Sequence, residues 1–361
     1  MTTRATDDRV RVRKYSALGR ITINRPEAIG AVDTPMLRAI AGALDGFRTD
    51  SDIDTVLVDG TGERGFCAGG DVRQLRAAIR SGDVAGAEEF FRVEYRTNAA
   101  IAEFPVPVVA FADGVTMGGG IGLAGHARVR VVTETSRLAM PETRIGFTPD
   151  VGGSWLLARA PGRIGEYLAL TSETMDPADA IYAGFADHFV RREDLGAVRD
   201  ALENRADPAN PTELVMLFDE TPEESGLVGA REWIDDAFAG ETVLEIRERL
   251  GELARDPRWQ REERSPASAL AALEERSPTA LAVTLAAIRS SRTLPNLRAA
   301  LEQEYRLVMW FAETQPDMVE GIRAQMVDKD RDPRWSPARD EDLADDVVER
   351  AFAHPVAALF D

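Results

Sequence analysis

An apolar run, Pro107-Val-Val-Ala-Phe-Ala112, stops at Asp113-Gly114 and is followed closely by three consecutive glycines, Gly118, Gly119 and Gly120. A run that is apolar at every position has no solvent face. It reads as a strand buried on both sides, the environment of a central strand in a parallel sheet. The glycines open a predicted helix over 119–125. Lacking Cβ atoms, they let backbone N–H groups approach a ligand closely, and a helix start leaves N–H groups unsatisfied at the positive end of its dipole. A second glycine loop, Gly65-Phe-Cys-Ala-Gly-Gly70, follows another predicted strand at Thr55-Val-Leu-Val-Asp59. Two such loops either aim their N–H donors at one point, forming an oxyanion hole, or are two tight turns; the residues alone leave both readings open. A phosphate-binding loop fits poorly, because neither loop carries Gly-Lys-Ser/Thr or the spaced G-x-G-x-x-G.

The same alternation extends over residues 10–190. Arg20-Ile-Thr-Ile-Asn24 reads as a strand. Thr34 to Phe47 carries Met36, Ile40, Leu44 and Phe47 at helical spacing, and Gly86 to Phe104 does likewise with Phe90, Tyr95 and Ile101. Strands alternating with helices define an α/β core. Beyond about residue 190 strand candidates thin out and charged helical patterns take over, as in 242–255 and 297–312. Ser277-Pro278 reads as an N-cap followed by proline at the first helical position. Residues 205–226, rich in Pro, Glu and Asp, read as a linker or surface loop. The expected division is a core over 10–200 and a mainly helical region over 201–361.

Composition narrows the function. The 361 residues are 44% hydrophobic, enough for a sizeable core. The balance of 43 basic against 62 acidic residues gives a formal charge of -19, the wrong sign for a nucleic-acid binder. Lys14 and Lys329 are the only lysines, so anionic ligands would be held mostly by arginine. A single cysteine, Cys67, rules out an intramolecular disulfide and suits a reducing compartment. No apolar run has the length of a membrane span, and the N-terminal residues lack the apolar core of a secretory signal. The expectation is a cytoplasmic protein without nucleic-acid or membrane partners; a homo-oligomer stays open.

Two acids stand out. Glu142 follows Pro141 among Leu138, Met140, Ile145 and Phe147, and an apolar setting suits a carboxyl to acid–base work near neutrality. A solvated loop residue is the competing reading. Asp150 precedes a predicted helix in Val-Gly-Gly-Ser-Trp-Leu-Leu157, so an N-cap competes there with a chemical role.

Taken together, Gly65-Phe-Cys-Ala-Gly-Gly-Asp71, Asp113-Gly-Val-Thr-Met-Gly-Gly-Gly120, Met140-Pro-Glu142 and Pro149-Asp-Val-Gly-Gly153 resemble the crotonase superfamily, whose members bind acyl-CoA thioesters. The resemblance implies an α/β fold, a crotonase-like spiral of ββα units with a helical C-terminal part. It implies oxyanion donors at the N–H groups of Gly70 and Gly119. Enoyl-CoA hydratases in this superfamily carry a first glutamate two residues after the triple glycine, where this chain has Gly122. Retaining Glu142 and placing Asp150 where hydratases usually have a small residue is similar to the 3-hydroxyisobutyryl-CoA hydrolases. The likeness continues at Phe90-Phe-Arg-Val-Glu-Tyr95, where that family places a substrate-contacting glutamate, here Glu94. It also takes in Glu304-Tyr-Arg306, Glu320-Gly-Ile-Arg323 and Asp328 to Trp335.

The implied activity is hydrolysis of a 3-hydroxyacyl-CoA thioester, 3-hydroxyisobutyryl-CoA in valine breakdown being the leading substrate. Glu142 would act as nucleophile or base, Asp150 on the substrate hydroxyl or a proton, and Glu94 in positioning that hydroxyl. No metal or other cofactor is implied, CoA being part of the substrate. The alternatives are an enoyl-CoA hydratase/isomerase and a catalytically silent acyl-CoA-binding protein. Two departures from the pattern are Gly30, where Asn is usual, and Glu27, where a basic residue is common; both touch the CoA phosphate contacts. Cys67 has no base near it in sequence and is a poor nucleophile candidate. His126, His188 and His354 lack metal spacing, and Trp155, Trp310 and Trp335 fit packing positions.

Overall fold

The computed structural model describes residues 8–204, 210–260 and 264–360. Among the described residues nine strands appear in chain order: β1 Val10–Tyr15, β2 Leu18–Ile23, β3 Thr55–Gly60, β4 Val108–Phe111, β5 Val115–Met117, β6 Val129–Val132, β7 Arg137–Ala139, β8 His188–Val190 and β9 Asp219–Glu220. Seven of them form one sheet in the order β1-β2-β3-β4-β6-β8-β9, and β5 pairs with β7 in a second. The interior of the large sheet, β2 through β8, is parallel, while β1 and β9 close its edges antiparallel. β4 is buried at every position, as its unbroken apolar sequence predicts. By contrast, edge strand β1 has charged Arg11, Arg13 and Lys14 at solvent-accessible positions, which discourages further strand pairing.

The chain divides into two compact units. One comprises residues up to Asp71, Val93–Leu138 and Met175–Glu224; the other comprises Val72–Arg92, Ala139–Thr174 and the residues from Ser225 on. A single cut near residue 200 does not describe this division. Contact with the C-terminal helices draws early segments into the second unit: Arg76 Nε donates to Val319 O at 3.0 Å, and the Tyr305 hydroxyl donates to Glu88 Oε1 at 2.9 Å.

In the first unit, Leu57, Val109, Phe111, Val129 and Val131 from the sheet pack with Leu195, Val198 and Leu202 of the helix Leu195–Asn204 and Val215 of the helix Pro211–Met216. Each such side chain contributes roughly 1.5–3 kcal/mol by leaving water. The expected linker over 205–226 is corrected in part. Positions 205–209 lie outside the described residues, but Pro211–Met216 is helical and Asp219–Glu220 pairs with β8. Its polar composition hid a proline-started helix that buries Pro211 and Val215.

The second unit is helical. Its aromatic core includes Phe91 stacked on Phe147 at 6.1 Å and Phe147 edge-on to Phe311 at 5.6 Å. The helix Pro278–Ser291 starts as its sequence predicts, with Ser277 Oγ accepting from Ala280 N at 3.1 Å and Pro278 in the first turn. Thr242 caps the helix Val243–Leu253 in the same way, and a longer helix spans Leu297–Thr314. Among the described residues no helix is long and apolar enough to cross a membrane.

Candidate active site

In the first unit the two glycine loops zip together. Cys67 N–H donates to Val115 O at 3.1 Å and Met117 N–H donates to Cys67 O at 3.0 Å. Only glycine fits at 120, because a Cβ there would overlap the Cys67 carbonyl oxygen. This close approach carries Gly70 to Gly119: a Cβ built on Gly119 would stand 3.1 Å from Gly70 N. Gly70 bridges to Val32 through its neighbours, Gly69 O accepting from Val32 N and Asp71 N donating to Val32 O, so its own N–H points away from Val32. Gly119 opens the helix Gly119–Ala124, where N–H groups have no intrahelical acceptor. Neither N–H donates to a backbone carbonyl among the described residues.

Glu94 completes this group. It lies on the helix Val84–Ala102 and is 2% exposed, and its Oε1 stands 2.5 Å from where a Gly119 Cβ would be. The three first-unit residues expected from sequence, Gly70, Glu94 and Gly119, are therefore brought together. Cys67 is fully buried; burial above all, and the charge of Glu94 with it, push its thiol up to about 12 against the pull of a hydrogen bond with the Gly69 backbone. A thiol held protonated in this way is not a nucleophile.

The two departures near Gly30 have local causes. Gly30 has φ +66°, and a Cβ there would overlap the Phe66 carbonyl oxygen, so asparagine does not fit. Glu27 lies 3.8 Å from Arg25, which also pairs with Asp71 at 3.1 Å.

In the second unit, Glu142 begins a short 3-10 turn, Glu142–Ile145, and is 6% exposed. Its neighbours Met140 and Phe147 are buried, so the solvated-loop reading does not hold. The turn is held by Thr143 Oγ1, which donates to Ala169 O at 3.0 Å and lies 2.6 Å from Ser172 Oγ. Asp150 is likewise 6% exposed. It is not the N-cap of the helix that follows. That helix, Gly153–Leu157, has Gly152 as its cap residue, with no side-chain cap bond of its own.

The carboxylate that serves the helix start comes from elsewhere. Glu304 Oε2 accepts from Gly152 N–H at 2.6 Å and Oε1 accepts from Ser154 N–H at 2.8 Å. Glu304 was legible only as part of a family motif. Its further signal is a carboxylate inside the buried stripe Leu301, Tyr305 and Val308 of its helix.

Four of the remaining sequence candidates make local contacts. His188 Nδ1 pairs with Asp219 Oδ2 at 2.9 Å, and His354 Nε2 lies 3.2 Å from Glu313 Oε2. Among the described residues no group of three His, Cys, Asp or Glu side chains is placed to hold a metal ion. Trp310 packs edge-on against Phe311 at 5.0 Å, and Trp335 Nε1 donates to Glu275 O at 3.0 Å.

A parallel sheet with helical units, paired glycine loops and two buried acids on separate turns defines a member of the crotonase-like enzymes. The sequence pattern of the enoyl-CoA hydratase/isomerase family matches residues 18–352, and the chain belongs to that family. It is 37% identical to the mitochondrial 3-hydroxyisobutyryl-CoA hydrolase of Gallus gallus, over 95% of this chain and 88% of that protein. It is 34% identical to 3-hydroxyisobutyryl-CoA hydrolase 1 of Arabidopsis thaliana, over 96% and 92%. Among solved structures, a carnitinyl-CoA dehydratase from Mycobacterium thermoresistibile superposes with a TM-score of 0.90 at 38% identity, covering 98% of this chain and 99% of that one. An enoyl-CoA hydratase from Rhodobacter sphaeroides gives 0.87 at 44% identity, covering 96% and 97%.

The cytoplasmic expectation is corrected by these relatives, since the Gallus gallus hydrolase is mitochondrial by name. A low cysteine count reports a reducing environment and does not tell one reducing compartment from another.

Proposed function

We propose that this protein hydrolyses a 3-hydroxyacyl-CoA thioester, with 3-hydroxyisobutyryl-CoA giving 3-hydroxyisobutyrate and free CoA in valine breakdown. The observation that carries the reading is near full-length similarity to 3-hydroxyisobutyryl-CoA hydrolases. The acid pattern agrees with it: Gly122 stands where hydratases keep a first glutamate, while Glu142 and Asp150 are present.

In this reading the Gly70 and Gly119 N–H groups receive the thioester oxygen as it gains negative charge. Such a donor lowers the barrier by about 3 kcal/mol. Glu142 either attacks the carbonyl carbon, giving an anhydride that water then cleaves to free the carboxylate again, or removes a proton from the water that attacks. The C–S bond breaks, the sulfur leaves as the CoA thiolate and takes up a proton, and the water oxygen ends in the product carboxylate. Asp150 binds the 3-hydroxyl or handles a proton, and Glu94 positions the hydroxyl beside the oxyanion donors. Hydrolysis moves no electrons between groups, so the step calls for no redox cofactor, and CoA enters as part of the substrate.

A second reading, hydration or dehydration of an acyl-CoA, is favoured by the likeness to the carnitinyl-CoA dehydratase and the enoyl-CoA hydratase. One sample with two readouts separates them. Free thiol release from 3-hydroxyisobutyryl-CoA reports hydrolysis, and loss of enoyl-thioester absorbance reports hydration. The expected result is thiol release without hydration. Hydration alone would overturn the hydrolase reading, and neither signal would leave a silent acyl-CoA-binding protein.

A further inference from the structure

Glu304 is fully buried in the helix Leu297–Thr314, and an isolated carboxyl at such depth is costly unless it is hydrogen-bonded. Here both oxygens are engaged, Oε2 by Gly152 N–H at 2.6 Å and Oε1 by Ser154 N–H at 2.8 Å. The Ser154 hydroxyl adds a third bond to the same group. That hydroxyl also lies 2.9 Å from Ser291 Oγ, which accepts from Gln303 Nε2 at 3.1 Å, so a polar network backs the carboxyl.

The segment held this way begins at Asp150. Asp150 O accepts from Gly153 N–H at 2.6 Å, and the intervening Val151 and Gly152 have φ of +53° and +79°. A β-branched valine in the left-handed region is strained and persists only where its surroundings hold it. The cap residue of the helix start, Gly152, brings no side-chain cap bond of its own.

We propose that Glu304 is a positioning residue for Asp150: its carboxyl pins the left-handed Val151–Gly152 turn and thereby sets the direction in which the Asp150 side chain leaves the backbone. The inference rests on the hydrolase reading above, in which Asp150 meets the substrate. A carboxyl is needed because an amide accepts on one oxygen only and would turn its NH2 toward one of the two N–H donors. The acids at 150 and 304 also sense each other's charge.

The test is a double-mutant cycle of Asp150→Asn and Glu304→Gln. Thiol release is followed on a 3-hydroxyacyl-CoA and on the acyl-CoA lacking that hydroxyl, and each variant's fold is checked by circular dichroism and thermal melting. The expected result is a loss of kcat of about 10- to 100-fold for Glu304→Gln on the hydroxylated substrate, with KM within about 3-fold and a smaller loss on the other substrate. In the Asp150→Asn background the same change should cost no more than about 3-fold, because the residue it positions is already gone. A purely structural cap would instead lower the melting temperature and cost the same factor in both backgrounds and on both substrates; that result overturns the proposal. Should Glu304→Gln fail to fold, Ser154→Ala removes one of the three bonds and should show the same substrate bias at a few-fold loss; an equal loss on both substrates counts against the proposal. Absence of thiol release from the wild type overturns the hydrolase reading and takes this inference with it, whereas a hydrolysing wild type with additive losses overturns the inference alone.

Discussion

Glu94 occupies the space that a side chain at Gly119 would need: a Cβ built on Gly119 would come within 2.5 Å of Glu94 Oε1. The absence of a side chain at 119 therefore serves the carboxylate as well as the backbone donor. Gly119 is not in the left-handed region, so alanine is acceptable to the backbone and the substitution reports the contact. Gly119→Ala should fold normally, displace Glu94 and lower kcat/KM by about 10- to 100-fold, which is about 1.4–2.7 kcal/mol of transition-state stabilisation. A turnover assay beside a melting curve checks it. Unchanged turnover in the folded variant would remove the Glu94 contact from the reaction, since alanine keeps the N–H.

Glu142→Gln should eliminate most thioester hydrolysis while acyl-CoA binding, measured by calorimetry, stays within a few-fold. The amide keeps the shape of the side chain on its 3-10 turn but is neither base nor nucleophile. Hydrolysis within a few-fold of wild type would sink the assignment.

Asp150→Asn should leave stability nearly unchanged, since Asp150 does not cap the helix Gly153–Leu157. Its rate loss should be larger on 3-hydroxyacyl-CoA than on the acyl-CoA lacking the hydroxyl, because a site built to bond a hydroxyl discriminates strongly against its absence. Equal losses on the two thioesters would make Asp150 a proton carrier common to both.

Cys67→Ala should keep hydrolysis within a few-fold and lose about 1 kcal/mol of stability through the small cavity it opens. With its thiol held near 12 by burial, Cys67 should also resist alkylation in the native protein at neutral pH. Rapid inactivation by a thiol reagent, prevented by substrate, would contradict this.

Burial, with the Asp150 charge adding to it, raises the Glu304 carboxyl from 4.5 to about 8 against the pull of its Ser154 and Gly152 bonds. Between those values the folded state holds a proton there that the unfolded chain has released. The stabilising contribution of this group is thus fully present below about 4.5 and is lost as pH rises through about 8. The wild-type melting temperature should therefore fall more steeply than that of Glu304→Gln between about pH 6 and 8.5. Parallel slopes for the two proteins would show that Glu304 does not titrate there.

What the sequence by itself determined is what lies within a few residues. The unbroken apolar run at β4 predicts a central strand because a buried parallel strand has no polar face. Ser277-Pro278 predicts a helix start because an N-cap hydroxyl reaches an N–H three residues on. The glycine loops are legible because the absence of Cβ atoms permits a backbone approach that any side chain would block. The acids Glu142 and Asp150 could be named, but a solvated loop and an N-cap competed with their chemical readings. Tertiary structure removed the solvated-loop and N-cap readings by burying both acids and by supplying the helix-start contact from Glu304, 150 residues away from Ser154. It also divided the chain discontinuously, turned part of an acidic stretch into the strand that closes the sheet, and set Glu94 against Gly119. Each of these depends on groups distant in sequence. Hydrophobic periodicity says which face of an element is buried, but not which partner buries it.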